Sequence, residues 1–257
     1  MNGERQTAVI TGASSGIGRE IARVLAARGY DLFILARRFD RLLELKSELE
    51  QRHGVRVMPM KADLRDPAVP AAIKAQLDHA GIEPSLLVND AGLGTFGMFT
   101  ELTWEEVEQM LLVNIGALTR LTHLFLPSML KRRSGKILNI GSIAGSLPGP
   151  WMAVYHATKA YVASLSEALW EETRGTGVTV TLLAPGLTRT EFHEHAHQKL
   201  TSGGWMDAHT VARIGVDALL AGRPIVAAGF RNSFILWIVR FLPHRLLLWA
   251  VRKSNGR

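Results

Sequence analysis

Seven short apolar runs recur along the chain, at Thr7–Thr11, Asp31–Ala36, Val55–Lys61, Leu86–Asn89, Gly135–Ile140, Val178–Ala184 and Pro224–Ala227. Each has the length of a strand, and segments that can be helical separate them. Gly16–Arg28 shows the helical period, with Ile17, Ile21, Val24 and Leu25 as its apolar residues. Parallel neighbours need a crossover that packs back onto the sheet, so this alternation predicts an α/β fold with a mostly parallel sheet and helices on both faces. The chain has 257 residues, 47% of them hydrophobic, and no linker or repeat, enough for one substantial core. One domain is expected over residues 1–230, followed by a helical extension at 231–257. The chain has no cysteine, which excludes disulfides and thiolate metal sites and fits a reducing compartment.

The first run leads into Thr11-Gly-Ala-Ser-Ser-Gly-Ile-Gly18. Gly12, Gly16 and Gly18 therefore fall on a strand-to-helix turn, where missing side chains let the backbone of Ser14, Ser15 and Ile17 approach an anionic group. A pyrophosphate there meets free N–H groups and the positive end of the helix dipole. The spacing Gly-x3-Gly-x-Gly differs from the Gly-x-Gly-x2-Gly of other dinucleotide folds. After the second run comes Ala36-Arg37-Arg38, where a carboxylate would grip a ribose 2′-hydroxyl. Two guanidinium groups suit a 2′-phosphate instead, so NADP(H) is expected over NAD(H).

Tyr155 and Lys159, four residues apart, share a helix face, and Ser142 lies thirteen residues upstream of the tyrosine. A phenol holds its proton firmly near neutral pH, and a nearby ammonium is expected to lower its pKa. Tyr155 could then exchange a proton with a carbonyl oxygen while Ser142 hydrogen-bonds that oxygen. These residues point to hydride-transfer chemistry. His156, inside the same motif, is expected to be exposed.

Together with Asn89-Asp-Ala-Gly92, Asn114 and Pro185-Gly186, these motifs resemble the classical short-chain dehydrogenase/reductase family, in the family's order from about Thr7 to Ala228. The resemblance implies a Rossmann-type doubly wound sheet and a reversible NADP(H)-dependent carbonyl reduction. It implies that Tyr155 is the acid/base, that Lys159 also holds the nicotinamide ribose, and that Asn114 supports a water-linked proton relay. Arg37 would bind the 2′-phosphate with help from Ser14 and Arg38, and Asp63-Leu64 would bind the adenine. Asn89, Ala91, Gly92, Pro185, Gly186, Thr188 and Thr190 complete the implied cofactor contacts. The family's usual second asparagine is Asp90 in this sequence, which is expected to be structural. A homodimer or homotetramer is also implied.

Substrate-pocket candidates by family position are Leu93–Met98, Ser146–Met152 and the segment after Gly186. Phe96, Met98, Leu147, Trp151 and Met152 among them predict an apolar ketone or aldehyde as substrate. The alternatives are a 3-oxoacyl group on an acidic carrier protein, and a dinucleotide-sensing protein without turnover. His193, His195 and His197 alternate as strand-borne metal ligands would, but the segment reads as a lid, and no metal is expected.

Residues 1–217 carry 23 basic and 23 acidic residues, whereas residues 218–257 carry 7 basic residues and no acid. The tail's apolar runs at 234–242 and 246–251 predict two short helices, with Pro243 at the junction. Neither run is long enough to span a bilayer. The tail fits peripheral contact with an anionic membrane, or packing over the pocket or another subunit. Its basic residues are interleaved with large aliphatic groups, which argues against nucleic acid. The opening Met-Asn-Gly-Glu-Arg-Gln lacks a signal-peptide run, so cytoplasmic residence is expected, with the membrane surface as a further location.

Overall fold

The computed structural model describes residues 5–192, 205–239 and 241–254. Its seven-stranded sheet contains β1 (Thr7–Thr11), β2 (Asp31–Ala36), β3 (Val57–Lys61), β4 (Leu86–Asn89), β5 (Gly135–Ile140), β6 (Val178–Ala184) and β9 (Ile225–Ala227). The order is β3-β2-β1-β4-β5-β6-β9, and every neighbouring pair is parallel. A small second ladder joins β7 (Thr188–Arg189) to β8 (Met206–Asp207). The expected strands form, with β3 and β9 starting slightly later than the sequence pattern suggested. Pro59 lies in β3, an edge strand, where a residue without an N–H is tolerated.

Strand alternation divides the core into two layers. Ala8 and Ile10 of β1, Leu32 and Ile34 of β2, and Leu138 of β5 face one side; Val9, Phe33, Leu35 and Ile137 face the other. The first face is covered by α1 (Gly16–Ala27), α2 (Phe39–His53) and α7 (Ala208–Leu220), through Ile21, Leu25, Leu42, Leu45, Val211 and Leu219. On the second side, α3 (Val69–His79) contributes Ile73 and Leu77, and α5 (Leu118–Lys131) contributes Leu121, Phe125 and Met129.

α4 (Trp104–Leu111) begins with a capping box in which Thr103 and Glu106 satisfy each other's backbone N–H. It continues through a π-helical turn, Leu112–Ala117, into α5. Among the described residues, Trp104–Lys131 is the one helical run long and apolar enough to cross a membrane. Its Val113, Leu121, Phe125 and Met129 pack into the core, which accounts for that composition. α6 (Ala153–Glu172) precedes β6, and the chain ends in α8 (Phe230–Ile238) and α9 (His244–Ser254), with Pro243 between them as expected.

β1 leads to β2 and β3 on one side, while β4 lies against its other side. At such a reversal the crossovers diverge, leaving a crevice beyond the carboxyl ends of β1 and β4. Thr11 fastens its floor: its hydroxyl donates to the Val88 carbonyl and accepts from the N–H groups of Asp90 and Ala91, both at 3.0 Å.

Phe125 is 1% exposed in the second core layer. Phe125→Ala should lower unfolding free energy by about 3–5 kcal/mol, measured by urea titration. Leu43→Ala on the exposed side of α2 should change it by less than about 0.5 kcal/mol.

Candidate active site

The glycine loop is closed against the chain beyond β4. A Cβ at Gly12 would lie 2.8 Å from Asp90 Oδ2 and 2.9 Å from the Ala91 nitrogen, and one at Gly18 would lie 2.4 Å from Asp90 Oδ2. Gly12 and Gly16 also have φ of +73° and +58°, in the left-handed region that glycine enters without strain. Asp90 packs half-buried beneath the loop, where the nearby Gly18 N–H favours its charged form. At the start of α1, Ser15 leaves its own helix uncapped. Its hydroxyl instead accepts from Arg38 Nη2 at 2.7 Å.

Ser142 lies just beyond β5 and caps the 3₁₀ turn Ile143–Ser146, its Oγ accepting from the Ala144 N–H at 3.1 Å. This turn rests directly on α6. A Cβ at Gly145 would be 2.6 Å from the Lys159 carbonyl oxygen, and one at Gly149 would enter the His156 ring. The His156 Nδ1–H donates to the Leu147 carbonyl at 2.8 Å. His156 is therefore buried, contrary to the sequence expectation, because the following loop folds over its face of α6. Burial depresses its pKa despite the carbonyl acceptors at Leu147 and Ala144.

This packing sets the Ser142 and Tyr155 hydroxyls on one wall of the cavity, where Ser142 favours the phenolate. The phenol is pushed up to about 12 because desolvation outweighs the opposing influence of the Ser142 hydroxyl. The expected lowering by Lys159 is not seen: its ammonium is 5.9 Å from the ring centroid and donates to the Ile140 carbonyl at 2.8 Å. A protonated phenol across the neutral range suits a proton donor. Burial moves Lys159 down to about 8 and Asp90 up to about 7, with each group's attraction for the other acting in the opposite sense.

Asn114 sits in the π-helical turn, 1% exposed. Its Oδ1 accepts from the Leu93 N–H at 2.8 Å, while Nδ2 donates to the Leu93 carbonyl and to Thr158 Oγ1, both at 2.9 Å. Its side-chain amide thus fastens the loop after β4 to α6. Asn89 turns inward as well, donating to Asn139 Oδ1 at 2.9 Å and Thr122 Oγ1 at 3.2 Å. Neither asparagine, nor Gly18, lines the cavity.

The remaining cofactor and catalytic candidates do line one cavity of about 670 Å³: Gly12, Ser14, Ser15, Gly16, Ile17, Arg37, Arg38, Asp63, Leu64, Ala91, Gly92, Ser142, Tyr155, Lys159, Pro185, Gly186, Thr188 and Thr190. Arg37 is exposed at its rim, while Arg38 reaches the Ser14 hydroxyl and pairs with Glu191 at 2.6 Å. Glu191 also pairs with Arg41 at 2.5 Å, and the two guanidiniums hold its carboxyl below the usual range. Sequence reasoning missed Glu191, whose signal was an acid close to the Pro185-Gly186 motif. Asp63 accepts from Arg65 Nε at 2.9 Å and from the Arg65 N–H at 3.1 Å, which holds its carboxyl low too.

Of the five apolar pocket candidates, Leu147 and Met152 line the cavity, whereas Phe96, Met98 and Trp151 do not. Met98 points outward at 48% exposure, and Trp151 instead packs beneath the Arg252 guanidinium at 5.6 Å. Further apolar walls come from Leu187 and Phe192 in the segment after Gly186, and from Ile235 and Val251 of the tail. The Phe192 ring stands 5.3 Å from that of Tyr155. The histidines at 193, 195 and 197 lie outside the described residues.

The sequence profile of the short chain dehydrogenases matches residues 6–201. A sulfoacetaldehyde reductase from Chromohalobacter salexigens is 40% identical over 214 residues, covering 82% of either chain. A very-long-chain 3-oxoacyl-CoA reductase from Laccaria bicolor is 35% identical over 175 residues, 67% of this chain; that match spans 52%, about half, of the fungal protein. A short-chain dehydrogenase from Sphingobium yanoikuyae, solved in complex with NADPH, superposes with a TM-score of 0.83 at 32% identity, covering 93% of this chain and 96% of the other.

The half-buried Asp90 beside the buried Lys159 gives this site a measurable signature. Asp90→Asn removes the carboxylate that favours the charged lysine, so the Lys159 titration should move below about 8. Side-chain NMR of labelled lysine checks this; an unchanged midpoint would mean that the two groups do not communicate.

Proposed function

The chain belongs to the short-chain dehydrogenase family, a family of carbonyl/alcohol oxidoreductases, and from that premise we propose that it reduces an apolar ketone or aldehyde reversibly, with NADP(H) as cofactor. The observation that carries the reading is the half-buried Tyr155 phenol, with Ser142 beside it and Lys159 behind it, on the wall of a cavity that reaches the glycine loop.

The cavity fits a dinucleotide. Side chains at Gly12 and Gly18 would collide with Asp90 or backbone, and the uncapped start of α1 presents N–H groups suited to phosphate. Gly12, Ser14, Ser15, Gly16 and Ile17 would hold the pyrophosphate side; Gly18 shapes the loop from behind. Arg37 and Arg38 would flank a ribose 2′-phosphate, a choice supported by the absence of an acid directly after β2. Asp63 and Leu64 would border the adenine, and Ala91, Gly92, Pro185, Gly186, Thr188 and Thr190 the nicotinamide half. A bound nicotinamide dinucleotide supplies or accepts the hydride.

At the substrate end, Ser142 donates a hydrogen bond to the carbonyl oxygen, polarising it. Tyr155 gives its proton to that oxygen, leaving a phenolate and an alcohol; solvent then restores the phenol, and oxidation runs the same transfer backwards. The Lys159 ammonium, confined among the Ile140 carbonyl, Asp90 and the Tyr155 ring, stabilises the transient phenolate. Asn114 acts by position, holding Leu93 and Thr158 in register. Leu147, Met152, Leu187, Phe192, Ile235 and Val251 favour an apolar substrate. A 3-oxoacyl thioester is the second reading, favoured by the likeness to the fungal very-long-chain 3-oxoacyl-CoA reductase.

NADPH oxidation should be followed against apolar ketones, aldehydes and 3-oxoacyl thioesters. Tyr155→Phe should lower kcat by about 10²–10⁴-fold while NADPH still binds. Retained turnover would remove the tyrosine from the chemistry. Arg37→Ala should raise the KM for NADPH by about 10- to 100-fold with little change for NADH; equal effects on both would overturn the 2′-phosphate assignment.

A further inference from the structure

The two C-terminal helices have sides of opposite character. The inner side of α8 is fixed: Asn232 is buried, hydrogen-bonds the Ala228 carbonyl and packs on Gly186, while Ile235 lines the cavity. α9 buries Leu247 and Val251 in the same way, and Val251 reaches the same cavity. On the outer side of α8, Phe230, Phe234 and Trp237 are 87%, 51% and 57% exposed, and Phe241 just beyond the helix is 68% exposed. Their spacings of four, three and four residues put them on one helical face. Ring centroids 6.0 Å and 5.2 Å apart join Phe234 to Trp237 and Trp237 to Phe241 in a row. Leu246 and Trp249 are exposed on α9, and the Lys253 ammonium lies 5.4 Å over the Trp249 ring.

Six of the twelve large hydrophobic side chains exposed among the described residues fall between residues 230 and 249, so this surface is concentrated rather than scattered. It coincides with the segment that carries 7 basic residues and no acid, the source of the chain's entire net charge of +7. Arg231, Arg245, Arg252 and Lys253 are exposed around the aromatic residues.

We infer that α8 and α9 form an interfacial docking surface for anionic lipid, with Phe230, Phe234, Trp237, Phe241 and Trp249 entering the headgroup boundary and the flanking basic residues meeting lipid phosphates. Aromatic rings and arginine belong together at the boundary between water and hydrocarbon. The charge selects the occupant. A second copy applied through the same face would oppose one acid-free basic surface to another, a repulsive arrangement that an anionic bilayer turns into attraction. This inference is independent of the reductase reading, since it rests on the outer side of the tail and is read by binding.

The test is flotation of the purified full-length protein with phosphatidylcholine vesicles, with and without phosphatidylglycerol. Binding is expected with the anionic lipid, with weakening at high salt and a blue shift of tryptophan emission. Phe234→Ala/Trp237→Ala should reduce partitioning by at least about tenfold. Arg245→Glu/Lys253→Glu should reduce it on anionic vesicles by about tenfold or more, since each charge near such a surface contributes about fivefold. Circular dichroism and thermal melting of each variant show whether its fold is retained. Lack of vesicle binding by the intact protein, or equal binding by folded variants, would overturn the inference. So would a concentration-dependent dimer lost in the aromatic variant, which would assign the face to a second copy.

Discussion

A sheet whose strands are apolar on both sides cannot leave either face in water. That requirement organises this molecule: Ala8 and Ile10 need one layer of helices, Val9 needs the other, and the same holds for the neighbouring central strands. Once both faces are covered, the strand ends are where a ligand can approach the sheet, and the reversal between β1 and β4 opens the crevice there. Thr11, Asp90, Ser142 and Lys159 all meet at that end, although they come from distant parts of the sequence.

Burial also sets the character of the titratable groups. Tyr155, Lys159, Asp90 and His156 are displaced mainly by desolvation, each toward its neutral form. Hydrogen bonds and the Asp90–Lys159 attraction offset only part of this. The phenol therefore keeps its proton while the lysine titrates closer to neutrality, a division of roles that two groups on an exposed helix would not show. The π-helical turn contributes by geometry: its wider winding carries Asn114, whose amide meets both the N–H and the carbonyl of Leu93.

The strand and helix pattern was legible because it follows local periodicity, and the glycine loop, Tyr155 and Lys159 were legible because short spacings place them on one turn or one helix face. Legibility faded wherever a residue's environment comes from a distant segment. His156 looked exposed from its position on α6, yet the loop containing Leu147 and Gly149 covers it. Phe96, Met98 and Trp151 lay in the right loops without lining the cavity; Ile235 and Val251 reached it from the tail. Nor could spacing reveal that Arg38 shares Glu191 with Arg41 across about 150 residues of chain. The pKa of Tyr155 failed for a similar reason: sequence places the lysine nearby but does not give its burial or its bond to Ile140.

The strand order has a consequence for how the chain is made. β2 and β3 extend the sheet from β1 in one direction, after which β4, β5, β6 and β9 extend it in the other, each beside a strand already synthesised. A chain leaving the ribosome can therefore lengthen its sheet by edge addition, with no paired strands separated to admit a later one. From β4 onward the newest edge is the one that the next segment takes, while β3 remains the opposite edge. The three-residue β9 ends the series, leaving little ladder on which a foreign strand could continue it.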